Sequence, residues 1–179
     1  MKTLNTVTRV LSKIIEVTAW ITAVCSVIGF FACLFASVPT LEAAVGELTT
    51  DADLTAMGIS MAANGSIAHL RGFLVAATIM GAILSVLGAM IFRNVYLIIK
   101  TSECKTWFSK GATPFQPDIV RMLREIGIFT IAIPAVELVF SVILRLIGGA
   151  DTVEISVNLN HILMGLLVLW LTQAFTYGS

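Results

Sequence analysis

Apolar residues fill four stretches of the chain, at about 14–38, 67–92, 126–147 and 159–177, and polar residues collect between them. Each stretch is near the roughly 20 residues that a helix needs to cross a bilayer core of about 30 Å. Hydrocarbon offers backbone amides no partner, so a spanning segment of this kind is read as a helix. The pattern therefore predicts an all-α fold, a transmembrane four-helix bundle forming one tetraspan domain over residues 1–179. Past Phe92 the residues Val95–Ile99 stay apolar between Arg93 and Lys100, so the second helix is expected to run on to about residue 100. At 1.5 Å per residue it would be roughly 50 Å long, enough to leave the hydrocarbon on one side.

The connections differ in kind. The first, 39–66, is too long for a bare turn. Leu41, Val45 and Leu48 make a weak helical stripe there, and Asp51 or Asp53 can cap a short helix through Met61. A small acidic cap of short helices is the expectation. Asn64-Gly65-Ser66 reads as a turn in preference to a glycosylation site. The middle connection, 93–125, holds Trp107, Phe108 and Phe115 among lysines, a composition suited to the headgroup layer or to a docking partner. Pro114 and Pro117 fix the backbone where a helix begins, Asp118 complements the positive end of its dipole, and Arg121 can pair with Glu125 at i,i+4.

Within the second stretch Ala77, Gly81, Ser85 and Ala89 recur every four residues and line one helix face, with Gly72 and Gly88 as further small positions. Small residues let a second backbone approach closely, either from the same chain, which is favoured, or from a second copy in a homodimer. In the third stretch Glu137 is the lone acid, and Pro134 should bend the helix and free a carbonyl near Thr130. A carboxylate at such a depth needs a partner, water or a proton. Cys25, Ser26, Thr78 and Ser85 stand at a similar depth, none of them cationic, so Glu137 is expected to be a neutral acid pinned between helices. A role in passing a proton or cation is the other reading of the same residue.

Composition agrees with a lipid environment: 58% of residues are hydrophobic and 12% charged, against roughly 25% charged in a soluble domain. Eleven Lys and Arg balance eleven Asp and Glu, so net charge gives no sign of direct nucleic-acid binding. Distribution says more. Nine of the eleven basic residues lie before the first stretch or between the second and third, whereas the other two connections carry six acids. By the positive-inside rule both termini and the middle connection face the cytoplasm, in an N-in/C-in arrangement with the acidic cap outside. The first stretch is too long for the apolar region of a cleaved signal peptide, so it is read as a retained helix.

Candidate chemistry is sparse. Cys25 and Cys33, eight positions apart on one helix, would be about 12 Å apart and cannot bridge. Cys104, on the cytoplasmic side, should be reduced. His69 and His161 each open a helix on the outer side and read as interfacial polar residues, in preference to haem or metal ligands. No phosphate loop, catalytic triad, paired acids or zinc spacing is present, so no catalytic, cofactor or metal residues are assigned and an enzyme is the least expected class.

The segment Gly111-Ala112-Thr113-Pro114-Phe115, followed by Val120, Leu123, Arg124, Ile126 and Gly127, resembles the domain of unknown function 2975 family of small bacterial four-helix membrane proteins. The closing Gln173-Ala174-Phe175-Thr176-Tyr177-Gly178 is similar to that family's Phe-x-x-Gly element, although members usually continue into an acidic tail and this sequence ends at Ser179. The resemblance implies a four-crossing protein of a bacterial cytoplasmic membrane. It also implies a pairing with a small Cro-type helix-turn-helix regulator, since genes for the two often adjoin, and it brings no catalytic residues. Three functions follow as expectations. The first is a sensing or regulatory module that holds a soluble regulator through its middle segment, with Gly111, Thr113, Pro114, Phe115, Arg121, Arg124 and Gly127 as the motif. The alternatives are a small transporter or channel subunit with Glu137 in its path, and an immunity-type protein acting through its outer cap.

Overall fold

The computed structural model describes residues 2–37, 39–41, 43, 67–107, 116–148 and 159–177. Among them the regular structure is entirely helical: α1, Lys2–Phe35; α2, Ile67–Ser102; α3, Pro117–Gly148; and α4, Leu159–Tyr177. All four are long and apolar enough to cross a membrane, the pattern of a multi-pass membrane protein. Their surfaces agree, since large apolar side chains such as Ile14, Ile21, Ile28, Phe31, Val139 and Leu163 stay exposed instead of packing inside. In water such faces would be costly; in lipid they cost nothing.

The ends of the helices follow local chemistry. α1 begins at Lys2, well ahead of its apolar run, because Thr3–Lys13 contains no helix breaker. α3 opens on Pro117, where a missing amide is harmless, with Asp118 in its first turn. It then runs unbroken through Pro134. α2 closes in a Schellman turn, in which the Cys104 amide donates to the Thr101 carbonyl at 3.0 Å and the Lys105 amide to the Lys100 carbonyl at 3.0 Å. That turn places Cys104 in the left-handed region at φ 56°, where glycine is the usual residue. The middle connection is thus narrowed to residues 103–116, since the helices claim both of its flanks. The expected helix between Asp51 and Met61 lies outside the described residues.

The chain forms two compact units, one of Met1–Thr22, Leu84–Ala135 and Asn158–Ser179, the other of Ala23–Ile83 and Val136–Val157. The second unit has a purely apolar core, Ala76 and Leu144 with Phe73, Phe140 and Ile147 against them. Gly81 lies in that unit beside α1, where a methyl group on it would stand 3.4 Å from Ser26 Oγ. This position of the small-residue stripe therefore packs within the chain. Ala77 is half-buried in the same unit, while Ser85, half-buried, and Ala89, fully buried, belong to the first.

Among the described glycines the closest helix approach is in the first unit, where α3 and α4 meet at Gly127 and Gly165. A methyl group at Gly165 would come 2.5 Å from Ile131 Cγ1 and 3.0 Å from the Gly127 carbonyl oxygen, and one at Gly127 would come 2.8 Å from Leu169. At Gly165 the clash is with the inner carbon of Ile131 and with backbone, which no side-chain rotation at the tip relieves, so the helices must part to admit a methyl group there. Gly165→Ala should destabilise the protein by about 1–3 kcal/mol, despite the roughly 1 kcal/mol that alanine adds to helix propensity. Gly88, with nothing within 4 Å of the added carbon, is the control: Gly88→Ala should leave the melting temperature in detergent unchanged or raise it.

Candidate functional site

Six polar side chains are buried among the described residues, Ser12, Glu16, Asn94, Thr101, Gln116 and Thr172, and all six belong to the first unit. A buried polar group needs a partner, so their surroundings define the candidate site.

On α1, Glu16 is only 6% exposed. Its Oε2 accepts from Lys13 Nζ at 3.0 Å, one turn back on the same helix. Lys13 remains half-exposed, its stem along the helix and its ammonium 5.3 Å from the centre of the Tyr96 ring on α2. Lys100, one turn beyond Tyr96, places its own ammonium 5.9 Å from that ring. Nearer the start of α1, Arg9 Nη1 donates to Glu103 Oε2 at 2.9 Å, and Lys105 Nζ donates to the same oxygen at 2.7 Å. The Schellman turn directs Glu103 and Lys105 to this meeting point. The hydrogen bond from Lys105 holds the Glu103 carboxyl below the usual carboxylate range; the charges of Lys105 and Arg9 and a hydrogen bond from Asn5 add to the effect, and partial desolvation opposes it.

Between α2 and α3 the link is an amide. Asn94 Nδ2 donates to Glu125 Oε2 at 3.0 Å, while Arg121 Nε lies 3.5 Å from Glu125 Oε1. Both carboxylate oxygens are thereby engaged, one from each helix. The register that sets Lys13 against Tyr96 and Arg9 against Glu103 brings Glu16 to about the level of Asn94. Acid groups on α1 and α3 and an amide on α2 thus form a polar layer in this unit. Thr172 on α4 satisfies its hydroxyl on its own helix, donating to the Val168 carbonyl at 2.8 Å. Thr101 is fully buried and accepts from Thr106 at 3.2 Å.

The residues singled out by the sequence are dispersed. Glu137 belongs to the second unit, half-buried on α3; its carbonyl accepts from Ser141 Oγ at 2.7 Å, and among the described residues its carboxyl group has no partner. Pro134 is buried. Of the side chains expected near Glu137, Thr78 donates instead to the Leu74 and Val75 carbonyls, and its methyl group lies beside Gly29. Gly111, Thr113, Pro114 and Phe115 lie outside the described residues. Arg121 pairs with Glu125, Arg124 is exposed, and Gly127 forms the α4 crossing. Cys25, Cys33 and Cys104 are free thiols. His161 is half-buried with an unpartnered Nδ1, and the His69 side chain lies outside those described.

Glu16, Asn94 and Glu103 carry the network without having stood out in the sequence. Their signal was positional, polar residues close to the ends of apolar runs and within a helix turn of a cation. No group of three His, Cys, Asp or Glu able to hold a metal occurs among the described residues. The geometry is that of charge pairing and of holding helices together. No family model, curated protein or solved structure matches the chain.

The sign of the pH response follows from Glu103. Its folded-state carboxyl titrates below its unfolded value, so its contribution is complete above the usual carboxylate range and is lost as pH falls through the lowered folded value. The difference in melting temperature between wild type and Glu103→Gln should be constant at neutral pH and vanish in acid. A difference that persists in acid would show that packing, and not charge, separates the two proteins.

Proposed function

We propose that this chain is a four-crossing bundle of a bacterial cytoplasmic membrane, with both termini and the middle connection in the cytoplasm, serving as a sensing or regulatory module. The observation that carries the reading is the clustering of Arg9, Lys13, Glu16, Asn94, Glu103, Lys105, Arg121 and Glu125 in one unit, where the Arg9–Glu103 pair ties α1 to the turn that ends α2 and an amide ties α2 to α3. Basic residues concentrated on one side of a membrane protein favour the cytoplasm. The network ties down described residues on both sides of 108–115, Glu103 and Lys105 before it and Arg121 and Glu125 after it. The aromatic and basic composition of the middle segment suits a soluble partner, and the resemblance of the 111–127 segment favours a small helix-turn-helix regulator as that partner.

Cys104 is a natural probe of this arrangement, exposed just beyond α2. In a chain with Cys25 and Cys33 replaced by alanine, Cys104 should resist an impermeant maleimide in intact cells and react once the membrane is opened. Labelling from outside would overturn the orientation and the regulatory reading together. Co-expressed with a small Cro-type helix-turn-helix protein of the kind the resemblance implies, the chain should retain that protein through purification and lose it when residues 108–115 become a Gly/Ser linker of equal length. Retention by the linker variant would remove the middle segment from the contact.

The unpartnered carboxyl of Glu137 favours a second reading, in which the acid serves a proton or cation path. Glu137→Gln is expected to fold and to keep regulator binding. Loss of a proton- or cation-driven flux in well-folded Glu137→Gln proteoliposomes would favour the transport reading instead.

A further inference from the structure

Two ammonium groups on one aromatic ring make an unusual local field. Lys13 on α1 and Lys100 on α2 both direct their charge at Tyr96, at 5.3 and 5.9 Å from its centre. The ring's negative face attracts each, while like charges gathered so closely repel. Lys13 is answered by Glu16. Lys100 has no acid partner among the described residues, and neither has Arg93. Arg93, Tyr96 and Lys100 stand at i, i+3 and i+7, so they share one face of α2. Arg93 is exposed, and Tyr96 and Lys100 are half-buried. The result is a shallow basic-aromatic surface with two uncompensated cations, at the point where the apolar run of α2 gives way to polar sequence.

We propose that this α1–α2 surface binds the phosphate of an anionic phospholipid headgroup, with Lys100 and Arg93 as its charge partners, Tyr96 as its wall and Lys13 as a second donor. The occupant is a lipid because the exposed apolar residues beside it on α1, Val10, Ile14 and Val17, give acyl chains a surface that a free phosphate would not use. The assignment rests on the membrane reading above, and it adds selectivity among lipids to it. A cation near an anionic bilayer is worth about 1 kcal/mol, which is about fivefold in affinity.

The full chain in nanodiscs of phosphatidylcholine containing a minority of phosphatidylglycerol, released and weighed by native mass spectrometry, tests the site. Phosphatidylglycerol should be retained in preference to phosphatidylcholine. Lys100→Gln and Arg93→Gln should each weaken that retention about fivefold, and the double variant about 25-fold. Arg145→Gln, at the far end of α3, should leave it unchanged, and melting temperatures establish that each variant is folded. Equal retention of the two lipids, or the same loss in Arg145→Gln as in Lys100→Gln, would overturn the site while leaving the membrane reading intact. Displacement of the lipid by glycerol 1-phosphate at equal concentration would overturn the choice of a lipid and point to a soluble phosphate. Failure to enter nanodiscs at all would overturn both readings.

Discussion

A hydrocarbon solvent cannot hydrogen-bond, and that single constraint organises this molecule. It demands that backbone groups be paired within each segment, which only a continuous helix achieves along one crossing. It also removes the hydrophobic drive for helices to associate, since lipid tails are as apolar as leucine. What remains to hold helices together is close packing and polar pairing, and the two units use them in different measure. The second has its core around Ala76 and Leu144, with Arg71 Nη2 donating to the Ala36 carbonyl as a polar tie between the start of α2 and the end of α1. The first combines the Gly127–Gly165 contact with every buried polar side chain among the described residues.

The concentration of buried polar side chains in the first unit gives its acids a structural meaning. Glu16 removed from water without Lys13 would be an uncompensated buried charge, a situation that typically costs several kcal/mol. With Lys13 one turn away, the pair is nearly neutral, and the lysine is free to reach Tyr96. Glu125 is treated differently: one oxygen takes a hydrogen bond from a neutral amide on another helix, and the other faces an arginine on its own. Hydrogen bonds to a charged acceptor are stronger than those between neutral groups, so Asn94 is a more specific link than an apolar contact of equal size. Register between α1, α2 and α3 is thereby set by a few directional bonds.

Much of the architecture was legible because hydrophobic runs are long signals. The start of α2 at Ile67, its continuation beyond Phe92 to about Lys100 and the opening of α3 at Pro117 each follow from a local rule acting over several residues. The candidate site was not legible, because its members are single residues whose meaning depends on a neighbour elsewhere in the chain. Glu16 sits two residues into an apolar run and reads as a ragged boundary until the fold buries it beside Lys13. Gly165 is one small residue among leucines, and only the carbonyl of Gly127 shows why nothing larger fits. Cys104 conceals a cap that glycine would have announced. Glu137 drew attention because the cost of a lone acid can be computed from depth alone, whereas the value of a paired one cannot.

The pairing also bears on how a membrane module of this kind can respond. An ion pair of modest net strength at a helix end is readily exchanged for water or for another anion, which is poor for stability and useful for switching. Arg9, Lys105 and Glu103 meet just beyond the end of α2, so in the proposed arrangement a partner bound to residues 108–115 would act first on that contact and through Arg9 on α1. A ligand changes such an equilibrium only by its differential affinity for the joined and parted states. A regulator bound to the middle segment and an anion held at Lys100 would, in the proposed arrangement, act at the same end of the α1–α2 pair, and any effect of one on the affinity for the other would be reciprocal.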